Sequence, residues 1–92
     1  MPEIIIRSFA KFRELFGGTN SITVPPETTV SGTLLAFAKT RSASMDELFS
    51  GAELKSNIIL MYNRERIDAE DAKTIIPADG DEIVIYPPVS GG

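Results

Sequence analysis

The residues of this 92-residue chain best suited to chemistry are its last two, Gly91-Gly92, which follow Pro87-Pro88-Val89-Ser90. Neither glycine has a side chain, so such an end can thread a narrow channel and present a bare carboxylate to another protein's site. Two successive prolines remove two backbone donors and lock φ, so a strand ending at Tyr86 stops there and the chain leaves it extended. Six extended residues reach at most roughly 20 Å. A floppy end that carries two glycines by chance is the plain alternative.

Side-chain chemistry is sparse. The chain has no cysteine, which excludes disulfides, thiolate nucleophiles and iron–sulfur ligation, and no histidine, which removes the commonest general base and metal ligand. No metal site is expected. Asp79, Asp81 and Glu82 cluster around Gly80, a strong turn signal, and read as solvated turn residues rather than an acid–base pair. No catalytic residues stand out, so the chain reads as a non-enzyme. Thirteen Asp+Glu against nine Lys+Arg give a net charge of −4, and no basic stripe appears, which argues against nucleic acid. No apolar run approaches the roughly 18 residues of a spanning helix. The start, Met1-Pro2-Glu3, lacks the basic and apolar regions of a signal peptide, so a cytoplasmic protein with no membrane partner is expected.

A hydrophobic fraction of 42% with 24% charged residues is too apolar for disorder and suits one small domain. Residues 3–9 hold Ile4-Ile5-Ile6 and predict a strand. Phe9, Phe12 and Phe16 then recur at helical spacing, predicting a short helix over 10–16 closed by Gly17-Gly18 in the left-handed conformation. Residues 20–24 read as a second strand stopped by Pro25-Pro26, forming a hairpin with the first. The clearest helix begins at a Thr28 or Thr29 cap, with Val30, Leu34, Phe37, Ala38 and Arg41 on one face, and breaks at Ser42-Ala43-Ser44. One further short turn fits 45–49. Residues 57–62 are nearly continuous apolar, as in a central strand covered on both sides. Asn63-Arg64-Glu65 turns into a brief return strand at Arg66-Ile67, 68–76 has room for one helical turn, and 82–86 forms the last strand. These elements predict an α+β domain over residues 1–86, a mixed sheet of four or five strands packed on one main helix, with a flexible tail over 87–92. Pairing the first and last strands in parallel at the sheet centre is the β-grasp, or ubiquitin-like, arrangement.

Several stretches carry a family resemblance: Phe9-Ala10-Lys11-Phe12-Arg13-Glu14-Leu15-Phe16-Gly17, then Asn63, then Asp79-Gly80-Asp81-Glu82-Ile83, and finally Tyr86-Pro87-Pro88-Val89-Ser90-Gly91-Gly92. On these the chain resembles the MoaD-type and ThiS-type ubiquitin-like sulfur carriers, MoaD being the small, non-catalytic subunit of molybdopterin synthase. Its Val-Ser-Gly-Gly end also resembles the small archaeal modifier proteins, implying an archaeal origin. The resemblance implies that an ATP-dependent activating enzyme adenylates the carboxylate of Gly92. Sulfur transfer would then give a thiocarboxylate for molybdenum or tungsten cofactor synthesis, with the synthase large subunit as partner. Attack by a lysine of a target protein would instead give an isopeptide bond. No cofactor is expected on the chain itself; ATP belongs to the partner.

The resemblance also implies that Phe9, Arg13, Arg66 and Tyr86 contact partners, while Gly91, Gly92 and the tail residues Pro87, Pro88, Val89 and Ser90 enter the partner's site. Phe9 equally fits a core position, and Arg13 a solvated helix position. Tyr86, an aromatic with a polar tip beside the tail, suits an interface. Arg66 departs from a family position that is often apolar. Lys11, Lys39, Lys55 and Lys73 read as solvated surface residues. The alternative function is a non-covalent β-grasp interaction module whose Gly-Gly end is incidental; a β-grasp ferredoxin is excluded for want of four cysteines.

Overall fold

A computed structural model describes residues 1–40, 42–51, 53–55 and 57–87. Strand β1 (Glu3–Ser8) is followed by helix α1 (Lys11–Phe16), strand β2 (Thr19–Thr23) and the main helix α2 (Val30–Lys39). A 3-10 segment (Ser42–Glu47) leads into the two-residue strands β3 (Phe49–Ser50) and β4 (Glu53–Leu54). Then come β5 (Ile59–Tyr62), β6 (Glu65–Ile67), the single-turn helix α3 (Ala69–Ala72) and β7 (Glu82–Tyr86). The main sheet runs β2-β1-β7-β5-β6, with β3 and β4 forming a separate ribbon. β1 and β7 pair in parallel, Ile6 opposite Ile83 and Ser8 opposite Ile85, and every other pairing is antiparallel. The β-grasp order expected for the sheet is therefore the one observed.

Strand periodicity assigns the faces. Ile4, Ile6, Leu60, Ile83 and Ile85 point inward and are at most 1% exposed. They meet Val30, Leu34, Phe37 and Ala38 from α2 and Phe12 and Phe16 from α1 in one core. Each of these Ile, Leu, Val and Phe side chains contributes about 1.5–3 kcal/mol of transfer free energy. The Phe16 and Phe37 rings join the two helices at 5.3 Å. Thr29 caps α2, its Oγ1 accepting the Gly32 N–H at 3.0 Å, which settles the choice between Thr28 and Thr29. The helix ends at Lys39, and Arg41, expected on its apolar face, lies outside the described residues.

Several expectations need correction. β1 ends at Ser8 and α1 starts at Lys11, so Phe9 belongs to neither and does not share the helical stripe of Phe12 and Phe16. Gly17 closes α1 at φ 91°, ψ 158°, an extended conformation open to glycine rather than the left-handed cap. β2 is shifted one residue, to Thr19–Thr23, and β5 is shorter than 57–62. β5 is also not covered on both sides: only Leu60 is buried, whereas β7 buries Ile83, Val84 and Ile85. The central strand is β7. The break after α2 continues as 3-10 helix, and the β3–β4 ribbon had not been expected, since two-residue strands are too short to show a period.

The turns beside β7 are held by side chains. Asn63 and Arg64 both have positive φ, 48° and 74°, as a tight hairpin turn requires. The Asn63 Oδ1 accepts the Glu82 N–H at 2.9 Å and the Asn63 N–H donates to the Glu82 carbonyl at 2.9 Å, tying the hairpin to β7. Asp79 Oδ1 accepts the Glu3 N–H at 2.8 Å, and Asp81 Oδ2 accepts both the Ala78 N–H at 2.8 Å and the Tyr62 hydroxyl. These carboxylates fasten the loop before β7 to β1 and β5. Burial, reinforced by the bond to Asp81, pushes the Tyr62 phenol up to about 12, and the same bond holds the Asp81 carboxyl below its ordinary value.

Both shifts make stability depend on pH. A depressed Asp81 pKa contributes stability above the unfolded value near 4, lost as pH falls through the lower folded value. A raised Tyr62 pKa contributes stability below about 10, lost as pH rises to about 12. Urea unfolding across pH should show both declines, with Asp81→Asn flattening the acid limb and Tyr62→Phe the alkaline one. Unchanged limbs in those variants would contradict the assignment.

Candidate functional site: the docking corner beside the end of β7

The site is assembled where β7 runs out. β7 lies at the sheet centre, so the direction in which residue 87 leaves is set by hydrogen bonds on both sides. Pro87 is half-buried; Pro88, Val89, Ser90, Gly91 and Gly92, expected to form the rest of the tail, lie outside the described residues. Phe9, just past the end of the neighbouring strand, donates its N–H to the Ile85 carbonyl at 3.2 Å. Its ring stacks on Tyr86, with centroids 4.9 Å apart and planes 12° from parallel. Phe9 is nonetheless 37% exposed, so it is a surface residue rather than a core one.

Ala10 holds Phe9 in that position. The Phe12 N–H returns to the Phe9 carbonyl at 3.1 Å, closing a turn around Ala10 at φ 54°, ψ −130°. That backbone region suits glycine, and a side chain there costs on the order of 1–3 kcal/mol. The strain lies directly beside the exposed ring.

The outer face of the sheet continues from this corner. Strand pairing places Thr19, Arg7, Val84, Met61 and Arg66 in one row across five strands. Three strand spacings separate Arg7 from Arg66, about 14 Å. Arg7 Nε pairs with Glu82 at 2.6 Å, and the apolar centre between the arginines is half-buried Met61 with Val84, 7% exposed. Of the four residues expected at an interface, the structure brings Phe9, Arg13 and Tyr86 to one corner and puts Arg66 on the opposite edge strand. Arg7, Met61 and Val84 were not singled out from sequence, and Glu82, read there as a solvated turn residue, is instead the first residue of β7 and pairs with Arg7. Their signal was the alternation of β1 and β7, which places Arg7, Glu82 and Val84 on the face opposite the core.

Among the described residues no group of three or more His, Cys, Asp or Glu could hold a metal ion, and no helix is long and apolar enough to cross a membrane.

A five-stranded mixed sheet with parallel first and last strands, packed on one main helix and ending beside a stacked aromatic pair, defines a ubiquitin-like β-grasp protein. The chain belongs to the ThiS family, whose model matches residues 6–92. It is 37% identical to the molybdopterin synthase sulfur carrier subunit of Drosophila ananassae, over 91% of this chain and 84% of that protein. It is 28% identical to small archaeal modifier protein 3 of Haloferax volcanii, over 98% and 99% respectively. The crystal structure of SAMP1 from Haloferax volcanii superposes with a TM-score of 0.84 at 30% identity, covering 98% of this chain and 99% of that one. The relatives are thus carriers and modifiers, as the resemblance implied.

Two substitutions separate corner from core. Phe9→Ala should cost no more than about 1.5 kcal/mol, the scale of one exposed aromatic pair, whereas Phe12→Ala should cost about 3–5 kcal/mol, as read by urea unfolding. Equal losses would place Phe9 in the core. Ala10→Gly should stabilise the domain by about 1 kcal/mol by releasing the strained turn; a loss would show that the turn is unstrained.

Proposed function

We propose that the protein is a carrier whose working group is the carboxylate of Gly92, activated by adenylation on an ATP-dependent partner that docks at the Phe9–Tyr86 corner. The carboxylate attacks the α-phosphorus of ATP and expels pyrophosphate, giving an acyl-adenylate. A nucleophile then attacks the acyl carbon and AMP leaves. With hydrosulfide as the nucleophile the product is a thiocarboxylate, the form that delivers sulfur to a pterin in molybdopterin synthesis. With a target protein's lysine the product is an isopeptide bond.

The observation that carries this reading is that the family match runs to residue 92, on a strand whose end is fixed at an exposed aromatic corner. In this reading residues 1–86 are the docking domain and 87–92 the delivered tail. Phe9, Arg13 and Tyr86 hold the partner, with Arg66 a second contact across the sheet. No cofactor resides on the chain, because ATP and every base and phosphate-binding group belong to the partner. The sulfur-carrier branch is favoured by the 37% and 35% identity to sulfur carrier subunits of Drosophila ananassae and Anopheles gambiae. The modifier branch is favoured by the nearly full-length match to the Haloferax modifiers. Both branches use one activated end, and the partner selects between them in the cytoplasm.

Deleting Gly92, or adding one residue after it, should abolish adenylation-dependent pyrophosphate release while leaving the unfolding midpoint unchanged. Pyrophosphate release retained by both variants would refute the reading.

A further inference from the structure

We propose that a cleft between the end of β1, helix α1 and the start of β2 is a carboxylate-binding subsite, filled by an Asp or Glu side chain of the docking protein. The inference rests on the docking reading above for the source of the carboxylate, though not for the cleft's affinity.

The cleft measures about 180 Å³ and is lined by Arg7, Ser8, Phe9, Arg13, Gly18 and Thr19. Those six residues include two cations, two hydroxyls and no acid, on a chain whose net charge is −4. At this size the cleft is smaller than the roughly 300–1,000 Å³ of sites that enclose a whole cofactor, but it suits the end of one side chain.

Ser8 is the informative residue. It is 1% exposed, and its Oγ has no hydrogen-bond partner among the described residues. A buried hydroxyl left unpaired costs about 1–3 kcal/mol. β1 alternates Ile4, Ile6 and Ser8 on the inner face, so an apolar residue at position 8 would continue the pattern without that penalty. Ser8 carries a donor that the folded domain by itself does not use.

Arg13 supplies the charge. Arg7 is already paired with Glu82, but no ion pair engages Arg13 among the described residues. Gly18 makes room for it: a Cβ built there would stand 3.3 Å from Arg13 Nε, tighter than ordinary contact. The Gly18 carbonyl is occupied by the Ser8 N–H at 3.0 Å, so the backbone floor is satisfied. What remains unmatched among the described residues is a guanidinium, with its fork of donors suited to a planar carboxylate, and the buried hydroxyl of Ser8, a residue of the cleft wall that would turn toward the bound group. Since Phe9 forms one wall, a protein stacked on Phe9 and Tyr86 is adjacent to the opening.

The test is an NMR titration of the free full chain with sodium acetate at ionic strength held constant with sodium chloride. Acetamide serves as the uncharged isostere. Saturable shifts are expected at the Ser8, Gly18 and Thr19 amides with acetate alone, and Arg13→Gln should abolish them. Ser8→Ala should weaken acetate binding roughly tenfold, as losing one hydrogen bond to a charged group does, while its thermal midpoint stays level or rises. Shifts matched by chloride or acetamide, or retained in Arg13→Gln, would overturn the subsite. So would a fall in the Ser8→Ala midpoint, because it would mean the hydroxyl is already satisfied. Acetate binding tighter than about 1 mM would identify a free small carboxylate as the occupant and overturn the partner side chain as its source. None of these readouts involves Gly92, so failure here leaves adenylation of the tail standing, and the reverse.

Discussion

The parallel pairing of β1 with β7 is the constraint from which the rest of the molecule follows. It places the last strand at the sheet centre, with β1 on one side and β5 on the other, so the inward side chains of β7 are almost wholly buried. A parallel pair needs a long crossover, and the chain between the two strands supplies it together with the main helix that covers the inner face. Because β7 is held on both sides, the point at which residue 87 leaves the domain is fixed.

Polar side chains fix the starting end of the β1–β7 pair. Asn63 bonds the start of β7 and Asp79 the start of β1, Asp81 bonds the Ala78 N–H in the loop before β7, and Tyr62 closes the set through Asp81. At the other end of the same strand pair the device is strain: the Ala10 turn projects Phe9 out of the strand and onto Tyr86. The loops at one end are satisfied, while the corner at the other is strained and lined by Arg7 and Arg13.

Much of this was legible in the sequence because the physical signal was local. The 3.6-residue spacing of Val30, Leu34, Phe37 and Ala38, the triple isoleucine of β1 and the Asp79-Gly80-Asp81 turn all read through to the structure. Phe9 misled because its spacing to Phe12 and Phe16 is helical by coincidence: a strained turn intervenes, and only the tertiary contact with Tyr86 shows where the ring goes. The apolar run at 57–62 suggested a strand covered on both faces, but β5 has only the short edge strand β6 beyond it. The Ser8 hydroxyl, unpaired among the described residues, and the space above Gly18 leave no trace in sequence, since both depend on how α1 folds back over the end of β1.

The central claim is that the working group is the carboxylate of Gly92 and that the side chains serve to present it. Intact-mass measurement of the protein purified from its native host, with digestion of co-purifying proteins, tests it most directly. The account predicts a species heavier by the difference between sulfur and oxygen, localised to Gly92, or Gly-Gly remnants on lysines of other proteins. An unmodified carboxylate throughout, with no remnants under conditions of active cofactor synthesis, would contradict it.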